Sequence, residues 1–528
     1  MHLLQFLCLP IARMLMFRAG LFSIALLFLS RASGILREST LAAAFGVGAM
    51  ADAVVLMLTL PDLIVGVLLS GALAYVLLPQ WSALSARQLR QRQRHQWAWM
   101  TGAGWVVAAA VFLAHKPLVV FLAPALAQAE PRLAQLSLAW AAAVLPLAVW
   151  AAWGSTCLQH RADVVGLYAA NLTVNFTVIA GLALASWVGV SSLGAVWAQH
   201  AMGFCLLLAM LARLAWQRWR LKPEVDATQV ESQNAAEAEA EPLSRWEAGA
   251  VWGSAVLCTG MPLVVYLLAR SWASVEGTGA LSLFNLAWKL VELPQVLLIQ
   301  VVAMLALPRL CQAVAQPTTT DQPPAWLAEF CKTLALALAL ACAAMVAVQG
   351  SGSVLASWLY GWGHMPTDRL PELVHWAQVG AFSLPAQAVV AILVALLAAQ
   401  HRLRTAALAW LLVALPLLAW PVLFVGRTHT GPAAMLWLAA FWWLVALTML
   451  SAVAWQSRAY PGWWRILLAD VWLPLLVCAM AVLAAGWPGL QAAAAACPAA
   501  WWGLWGAAGV MVLAWWASPR LREVLRKP

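Results

Sequence analysis

The chain has 528 residues, of which 64% are hydrophobic and only 9% are charged. No soluble domain can bury so much apolar surface, so the composition excludes a soluble enzyme or binding module and indicates a polytopic membrane protein. The formal net charge of +10 does not require a nucleic acid partner, because Lys and Arg concentrate in the cytoplasmic loops of membrane proteins.

Long apolar runs predict an all-α fold with about 14 transmembrane helices, since a span needs about 20 apolar residues. The expected fold class is a polytopic helical protein with two pseudo-symmetric lobes around a central cavity. The helices are predicted near 15–45, 49–82, 97–122, 133–157, 164–186, 191–215, 247–270, 278–308, 326–348, 371–398, 404–425, 431–455, 464–486 and 499–518.

The first predicted hairpin contains charges that a membrane span rarely tolerates. Arg31, Arg37 and Glu38 lie in the first helix, and Asp52 and Asp62 lie in the second. A charged side chain at the centre of a span costs roughly 2.5–3.5 kcal/mol on insertion scales. These side chains are therefore expected to face protein or a water-filled cavity, which makes them candidates for a functional site.

Asp52 allows two interpretations. It follows the small-residue turn Gly46-Val47-Gly48-Ala49, so its carboxylate is well placed to cap the start of the second helix. It is equally a candidate for the acidic part of a substrate site, and the two roles are compatible.

A polar, acidic and Ala-rich segment divides the chain. We predict an N-terminal lobe of six helices over 1–222, a cytoplasmic linker over 223–245 and a C-terminal lobe of six helices over 246–460. Two further helices and a basic tail are predicted over 461–528. A weak echo relates the lobes. The second helix carries a segment over 60–79 and the eighth a segment over 293–308, and each segment begins and ends with Leu-Pro. Internal repeats are typical of transporters.

The eighth helix carries the charged pair Lys289 and Glu292 in the sequence FNLAWKLVELPQ. Three residues separate the two side chains, so they can form an ion pair on one helix face. One interpretation is a self-neutralised pair within the bundle, and the other is a cation that lines the cavity opposite the first helix. A cationic cavity with a few acids favours an anionic substrate such as a phosphate or diphosphate.

Basic residues orient the spans. Arginines cluster after the second, fourth, sixth, tenth and twelfth helices and at the C-terminal end, and all these segments lie on one face of the membrane if about 14 helices are correct. The positive-inside rule therefore predicts that both termini are cytoplasmic.

The first hairpin resembles that of the MurJ/MviN family. The resemblance rests on SRASGILRESTLAAAFGVGAMADAV over 30–54, on the following LPDL, SGAL and LP segments, and on WKLVELP over 288–294. Proteins of this family are lipid II flippases of the multidrug/oligosaccharidyl-lipid/polysaccharide exporter superfamily. The resemblance implies that Arg31, Arg37, Asp52 and Lys289 occupy the family's functional positions, with Arg more usual at the last one.

Three positions depart from the family pattern. The family usually has two arginines after Leu-Pro-Asn-Leu-Leu, where this chain has Val65 and Gly66, and an acid where this chain has Ser70. The cavity has therefore lost two positive charges and one negative charge. These departures leave the lipid-linked cargo open.

The leading hypothesis is a non-enzymatic flippase that moves lipid II, a peptidoglycan precursor, from the inner to the outer leaflet of the bacterial inner membrane. The candidate substrate-binding residues are Arg31, Arg37, Glu38, Asp52, Ser70, Lys289 and Glu292. One alternative is a flippase for a lipid-linked exopolysaccharide or O-antigen unit, and another is a non-transporting scaffold for envelope assembly. A drug/cation antiporter is disfavoured by the cationic site.

We expect no cofactor and no metal. The nine cysteines are scattered singly, without a C-x-x-C pair. The driving force is open between the membrane potential and a coupled ion. The expected partners are an anionic lipid-linked glycan, membrane lipids and cell-envelope synthesis proteins, with no nucleic acid.

Overall fold

In the computed structural model the described part of the chain is helical and contains no strand. The structure describes residues 25–68, 84–190, 194–222, 245–316, 324–417, 430–458 and 499–518, with isolated positions between 77 and 81, between 472 and 479 and at 522. The predicted all-α membrane class is confirmed. Residues 223–244 of the linker predicted over 223–245, and the predicted helix near 464–486 apart from its isolated positions, lie outside the described residues.

Among the described residues, eight helices precede the predicted linker. α1 covers 25–45, and the others are α2 Ala49–Val67, α3 Ala86–Leu113, α4 His115–Leu122, α5 Pro124–Ala129, α6 Pro131–His160, α7 Val164–Val190 and α8 Gly194–Arg220. The start of α3 shows how local sequence fixes the beginning of a helix. Ser85 and Gln88 form a capping box in which each satisfies a backbone N–H of the other.

Nine further helices are described after the predicted linker. They are α9 Arg245–Ala273, α10 Ala280–Pro294, α11 Gln300–Val314, α12 Ala325–Tyr360, α13 Leu370–Ala381, α14 Leu384–Ala399, α15 Leu403–Leu417, α16 Thr430–Ser457 and α17 Ala499–Ala517. A π-helical segment, Gln295–Ile299, joins α10 to α11. It begins directly after Pro294, which has no N–H to donate to the helix, so the break has an identifiable cause.

Nine helices of the described part are long and apolar enough to cross a membrane. α13 with the preceding 3₁₀ turn, together with α14, makes a tenth span if this pair, bent by 42°, counts as one. α15 and α17 contain shorter apolar segments. The predicted number of 14 spans is therefore not confirmed.

The chain forms two compact units. The first comprises Met1–Ala44, Leu56–Leu118 and Arg132–Ala248, and the second comprises Phe45–Val55, Val119–Pro131 and Gly249–Pro528. The turn after α1 and the beginning of α2 thus belong to the same unit as α10.

Polar side chains join the helices of the first unit. Asn175 on α7 donates to the Ser33 hydroxyl on α1 over 2.8 Å, and Gln199 on α8 donates to the Ser137 hydroxyl on α6 over 2.6 Å. These side chains are buried, so each bond satisfies groups that lipid cannot solvate.

The 36-residue helix α12 is the central element of the second unit, where it packs against α13, α14 and α17. Gln349 on α12 donates to the backbone carbonyl of Gln378 on α13 over 2.8 Å, and Gln378 donates to the carbonyl of Gln349 over 2.9 Å. Gly503 brings α17 close to α12, because a Cβ at this position would lie 2.6 Å from the Ser351 backbone nitrogen.

Candidate substrate-binding residues

Arg37 is the centre of a charged cluster in the first unit. Its Nη2 and Nε atoms donate to Glu38 Oε1 over 2.7 and 3.2 Å, and Nη2 also lies 3.4 Å from Asp62 Oδ2. The Arg37 and Glu38 side chains are 13% and 5% exposed, whereas the Asp62 side chain is 48% exposed. The cluster therefore combines a buried, short ion pair with a longer, accessible one.

The other predicted positions of the first hairpin differ in burial. Arg31 is exposed, although it shares a helix face with the buried Glu38 in the sequence pattern. Val65 and Gly66 are half-buried at the end of α2. Ser70 lies outside the described residues. The structure thus brings Arg37 and Glu38 together, whereas Arg31 on the same helix is exposed.

Asp52 caps a helix, but the helix is α10 rather than its own. Its two carboxylate oxygens accept the backbone N–H groups of Gly279 over 2.6 Å and of Ser282 over 2.7 Å. The residue is 1% exposed. The carboxylate also complements the positive end of the α10 dipole, since it lies at the N-terminus of that helix. This pairing connects positions more than 200 residues apart, so no local pattern in the sequence predicts it.

Gly279 is required at this junction for two reasons. Its φ of +90° lies in the left-handed region, which disfavours a side chain. A Cβ would also lie 2.7 Å from Val47 Cγ1. The glycine lets the backbone of the α10 N-terminus approach the turn before α2, which brings its N–H groups to Asp52.

Lys289 and Glu292 form the predicted ion pair in α10. Lys289 Nζ donates to Glu292 Oε2 over 2.6 Å, and the two side chains are 29% and 32% exposed. The pair lies one turn before the π-helical segment, and π-helical turns are frequent at functional sites. Asp52 therefore anchors the helix that presents this pair.

Sequence reasoning missed a second polar cluster in the first unit. Arg213 on α8 is 3% exposed and donates from Nη2 to Ser155 Oγ on α6 over 3.1 Å. Gln217 donates to the same hydroxyl over 2.8 Å. Arg213 Nε has no hydrogen-bond partner among the described residues. The only signal in the sequence was an arginine two residues before the end of the span predicted over 191–215, and it was assigned to none of the predicted sites.

A further ion pair joins Asp163, in the turn between α6 and α7 and outside the spans, to Arg220 at the C-terminal end of α8. Arg220 donates from Nε and Nη2 to the two carboxylate oxygens of Asp163 over 2.8 and 2.7 Å, and Gly166 N donates to the same carboxylate. The Arg220 guanidinium holds the pKa of Asp163 below its usual value. This bidentate pair fixes the end of α8 to the start of α7.

Within the described ranges, no group of three His, Cys, Asp or Glu side chains is arranged to hold a metal ion. The charged side chains that the structure brings together there are arginine, lysine and carboxylate pairs. Such groups recognise anions and exchange partners without forming covalent bonds.

Comparison with known families decides the class. The sequence profile described as lipid II flippase MurJ matches residues 41–491. The chain belongs to the MurJ family. It is accordingly a membrane transporter and not an enzyme. Comparison with curated protein sequences gives no match.

Solved structures share the fold of this MurJ-family chain. A lipid II flippase MurJ in an inward closed conformation is similar over 96% of this chain and 100% of that chain, with a TM-score of 0.68 and 15% identity. An inward-facing multidrug resistance MATE transporter covers 81% of this chain and 94% of its own, with a TM-score of 0.57 and 12% identity. A structure described as a MOP superfamily transporter from Pyrococcus furiosus covers 83% of this chain and 94% of its own, with a TM-score of 0.56 and 13% identity.

Proposed function

We propose that the chain is a flippase that moves lipid II, a polyprenyl-diphosphate-linked peptidoglycan precursor, from the inner to the outer leaflet of the bacterial inner membrane. Membership of the MurJ family supports the transport of a lipid-linked precursor. The observation that carries the proposal is Arg37, a guanidinium kept in a membrane helix and oriented by the buried Glu38 carboxylate 2.7 Å away.

The chemistry of Arg37 suits a diphosphate. A guanidinium offers several N–H donors in a fixed plane and binds phosphate oxygens in pairs. Glu38 contacts Nε and Nη2, so it orients the guanidinium plane. Arg31 on the same helix adds a second, exposed cation. In this proposal α1 supplies the cations that hold the head group while the polyprenyl tail stays in lipid.

Lys289 is the proposed cation of the second unit. Its ammonium is already paired with Glu292, so a phosphate competes with that carboxylate for the lysine. The proposed transport cycle is alternating access, in which the head group is exposed first to the cytoplasm and then to the outside. Asp52 has a positioning role in this cycle, because it holds the N-terminus of the helix that carries Lys289.

The driving force is proposed to be the membrane potential or a coupled ion. Each elementary charge that crosses 100 mV contributes about 2.3 kcal/mol. We place both termini in the cytoplasm, following the basic segments of the sequence. Cell-envelope synthesis proteins that consume the flipped precursor are the proposed partners.

The replacement of an arginine pair by Val65 and Gly66 supports a second candidate cargo. A lipid-linked exopolysaccharide or O-antigen unit has the same diphosphate but a different glycan. In such a flippase, Arg37 and Lys289 would keep their roles, and the half-buried end of α2 would face another sugar.

Complementation tests the proposal. A strain depleted of its own lipid II flippase receives the chain, and the distribution of lipid II between the leaflets is measured. We expect rescue by the wild type and loss of rescue by Arg37→Ala and by Lys289→Ala at equal abundance. Asp368→Asn, a change at an exposed position in the second unit, is the control and should rescue. Full rescue by both alanine variants would contradict the transport proposal, whereas failure of the well-expressed wild type would favour the exopolysaccharide cargo.

A further inference from the structure

Arg37 contacts two carboxylates that differ in contact distance and in exposure. The bond to Glu38 is 2.7 Å long and involves a side chain that is 5% exposed. The contact with Asp62 is 3.4 Å long and involves a side chain that is 48% exposed. Strong charge-assisted hydrogen bonds between nitrogen and oxygen measure about 2.7–2.9 Å, so the Asp62 contact is the weaker of the two.

Burial decides which carboxylate can leave. Separating Arg37 from Glu38 would leave a charge in a buried site without compensation, and this is strongly unfavourable. An exposed ion pair contributes little, because water solvates the released carboxylate. Among the described residues, Asp62 is hydrogen-bonded through Arg37 alone. Glu38 therefore orients the guanidinium, and Asp62 is the partner that an incoming anion can replace.

A second arginine lies within electrostatic range of the same carboxylate. The negative charge of Asp62 favours the charged form of the Arg213 guanidinium. Arg213 Nε has no hydrogen-bond partner in the described part of the first unit. Arg213 is held by Ser155 at one end only. An anion that takes the place of Asp62 would therefore be attracted by two arginines. An anion with more charge than one carboxylate would also stabilise the buried charge of Arg213 more than Asp62 does.

We propose that Asp62 is an exchangeable counter-ion, which neutralises Arg37 between transport events and yields its place to a phosphate group of the anionic cargo. This inference rests on the proposed function, because it assumes that a diphosphate reaches Arg37. In this exchange the Arg37 guanidinium gives up one anionic partner for another, while water solvates the released Asp62 carboxylate. Asp62 therefore selects among anions, because an anion must displace it in order to bind Arg37. An anion with less charge than a phosphate competes poorly with Asp62.

The experiment measures binding to the purified full-length chain in detergent by isothermal titration calorimetry. The probes are farnesyl diphosphate and inorganic pyrophosphate, which separate recognition of a lipid from recognition of free diphosphate. The variants are Asp62→Asn and Asp62→Ser, which remove the charge, and Asp62→Glu, which keeps it. Asp368→Asn is the matched control, since it makes the same chemical change at an exposed position of the second unit.

We expect Asp62→Asn and Asp62→Ser to bind farnesyl diphosphate about tenfold more tightly than the wild type. The reason is that the Asp62 carboxylate, at about 6 Å from a bound phosphate charge in a medium of effective dielectric constant about 40, repels the probe enough to weaken binding by about that factor. Asp62→Glu and Asp368→Asn should bind as the wild type does. Pyrophosphate should follow the same order of variants, and weaker binding of this probe would assign part of the affinity to the lipid.

The outcomes separate the two proposals. If Arg37→Gln loses binding while both neutral Asp62 variants remain within twofold of the wild type, Asp62 is not a counter-ion and the diphosphate site stands. If Arg37→Gln binds as the wild type does, the diphosphate does not reach Arg37, and both the exchange and the proposed role of Arg37 are wrong. Tighter binding by only one of the two neutral variants would also contradict the exchange, because the charge is absent from both.

Discussion

The contact between Asp52 and α10 makes a prediction that depends on geometry alone. Asp52→Ala removes both acceptors from the backbone N–H groups of Gly279 and Ser282, while the helix α2 that carries the substitution keeps its own backbone bonds. Asp52→Asn keeps one oxygen but presents an NH₂ group to the second N–H. We therefore expect a graded effect, with the alanine variant the more severe.

The magnitude follows from burial. The site is 1% exposed, so water does not replace the lost acceptors. Each buried N–H left without a partner costs about 1–3 kcal/mol, and loss of a helix cap costs about 0.5–2 kcal/mol. Asp52→Ala should therefore destabilise the second unit by about 2–4 kcal/mol, and Asp52→Asn by about 1–2 kcal/mol.

Hydrogen exchange followed by mass spectrometry measures this effect at the amides concerned. The segment 277–286 should exchange faster in Asp52→Ala, and unfolding in dodecyl sulfate, followed by circular dichroism, should begin at a lower detergent fraction. Asp62→Asn is the matched control, because it makes the same kind of change on α2 at a side chain that is 48% exposed. Unchanged protection of Gly279 and Ser282 in Asp52→Ala would refute the capping role.

Three further predictions concern other parts of the molecule. Gly503→Val should weaken the packing of α17 on α12 by about 1–3 kcal/mol, because the valine side chain would overlap Ser351. A cysteine crosslink or proteolysis assay measures this packing, and a result showing α17 docked as in the wild type would contradict the prediction. Asp163→Asn should cost about 1 kcal/mol at pH 7. Because Arg220 lowers the pKa of Asp163 in the folded state, this stabilisation is fully present above the ordinary carboxyl pKa of 3.8 and is lost as the pH falls through the lowered pKa of the folded state. The thermal stabilities of variant and wild type should therefore converge at a pH below that lowered pKa. Lys289→Arg should retain translocation of a fluorescent lipid-linked diphosphate, whereas Lys289→Gln should reduce the translocation rate at least about tenfold, equivalent to about 1.4 kcal/mol. Equal rates for the two variants would show that the positive charge at position 289 has no role in transport.

The sequence predicts the helices well because each span needs a continuous apolar run. The predicted positions of the spans around α6, α7, α9 and α16 lie within the helices that the structure describes. Breaks inside spans were less accessible to sequence reasoning. The predicted span near 97–122 is divided at Ala114, and the π-helical segment after Pro294 had no signal beyond the proline itself.

The candidate site was predictable only where the partners are close in the chain. Lys289 and Glu292 lie one turn apart, and Arg37 and Glu38 are adjacent, so their pairing follows from charge and helical spacing. Asp52 pairs with a helix that begins more than 200 residues later, and no spacing rule reaches that distance.

Buried polar contacts between helices were missed for a related reason. A single Ser, Asn or Gln in an apolar helix gives no indication of its partner until the packing of the helices is known. Asn175 with Ser33 and Arg213 with Ser155 are two such cases in the first unit. Their positions depend on which helix faces are in contact, and the apolar runs do not specify those faces.

Translocation by the purified chain in proteoliposomes tests the central claim most directly. Vesicles of bacterial lipids carry lipid II labelled on its glycan, and a membrane-impermeant quencher reports the fraction in the outer leaflet over time. We predict that the wild type equilibrates the label between the leaflets, that Arg37→Gln does so at least about tenfold more slowly, equivalent to about 1.4 kcal/mol, and that Asp368→Asn behaves as the wild type does. The experiment is repeated under an imposed membrane potential and with sodium or proton gradients of either direction. If the wild type is correctly folded and the label still remains in its original leaflet under all these conditions, the assignment as a lipid II flippase is contradicted.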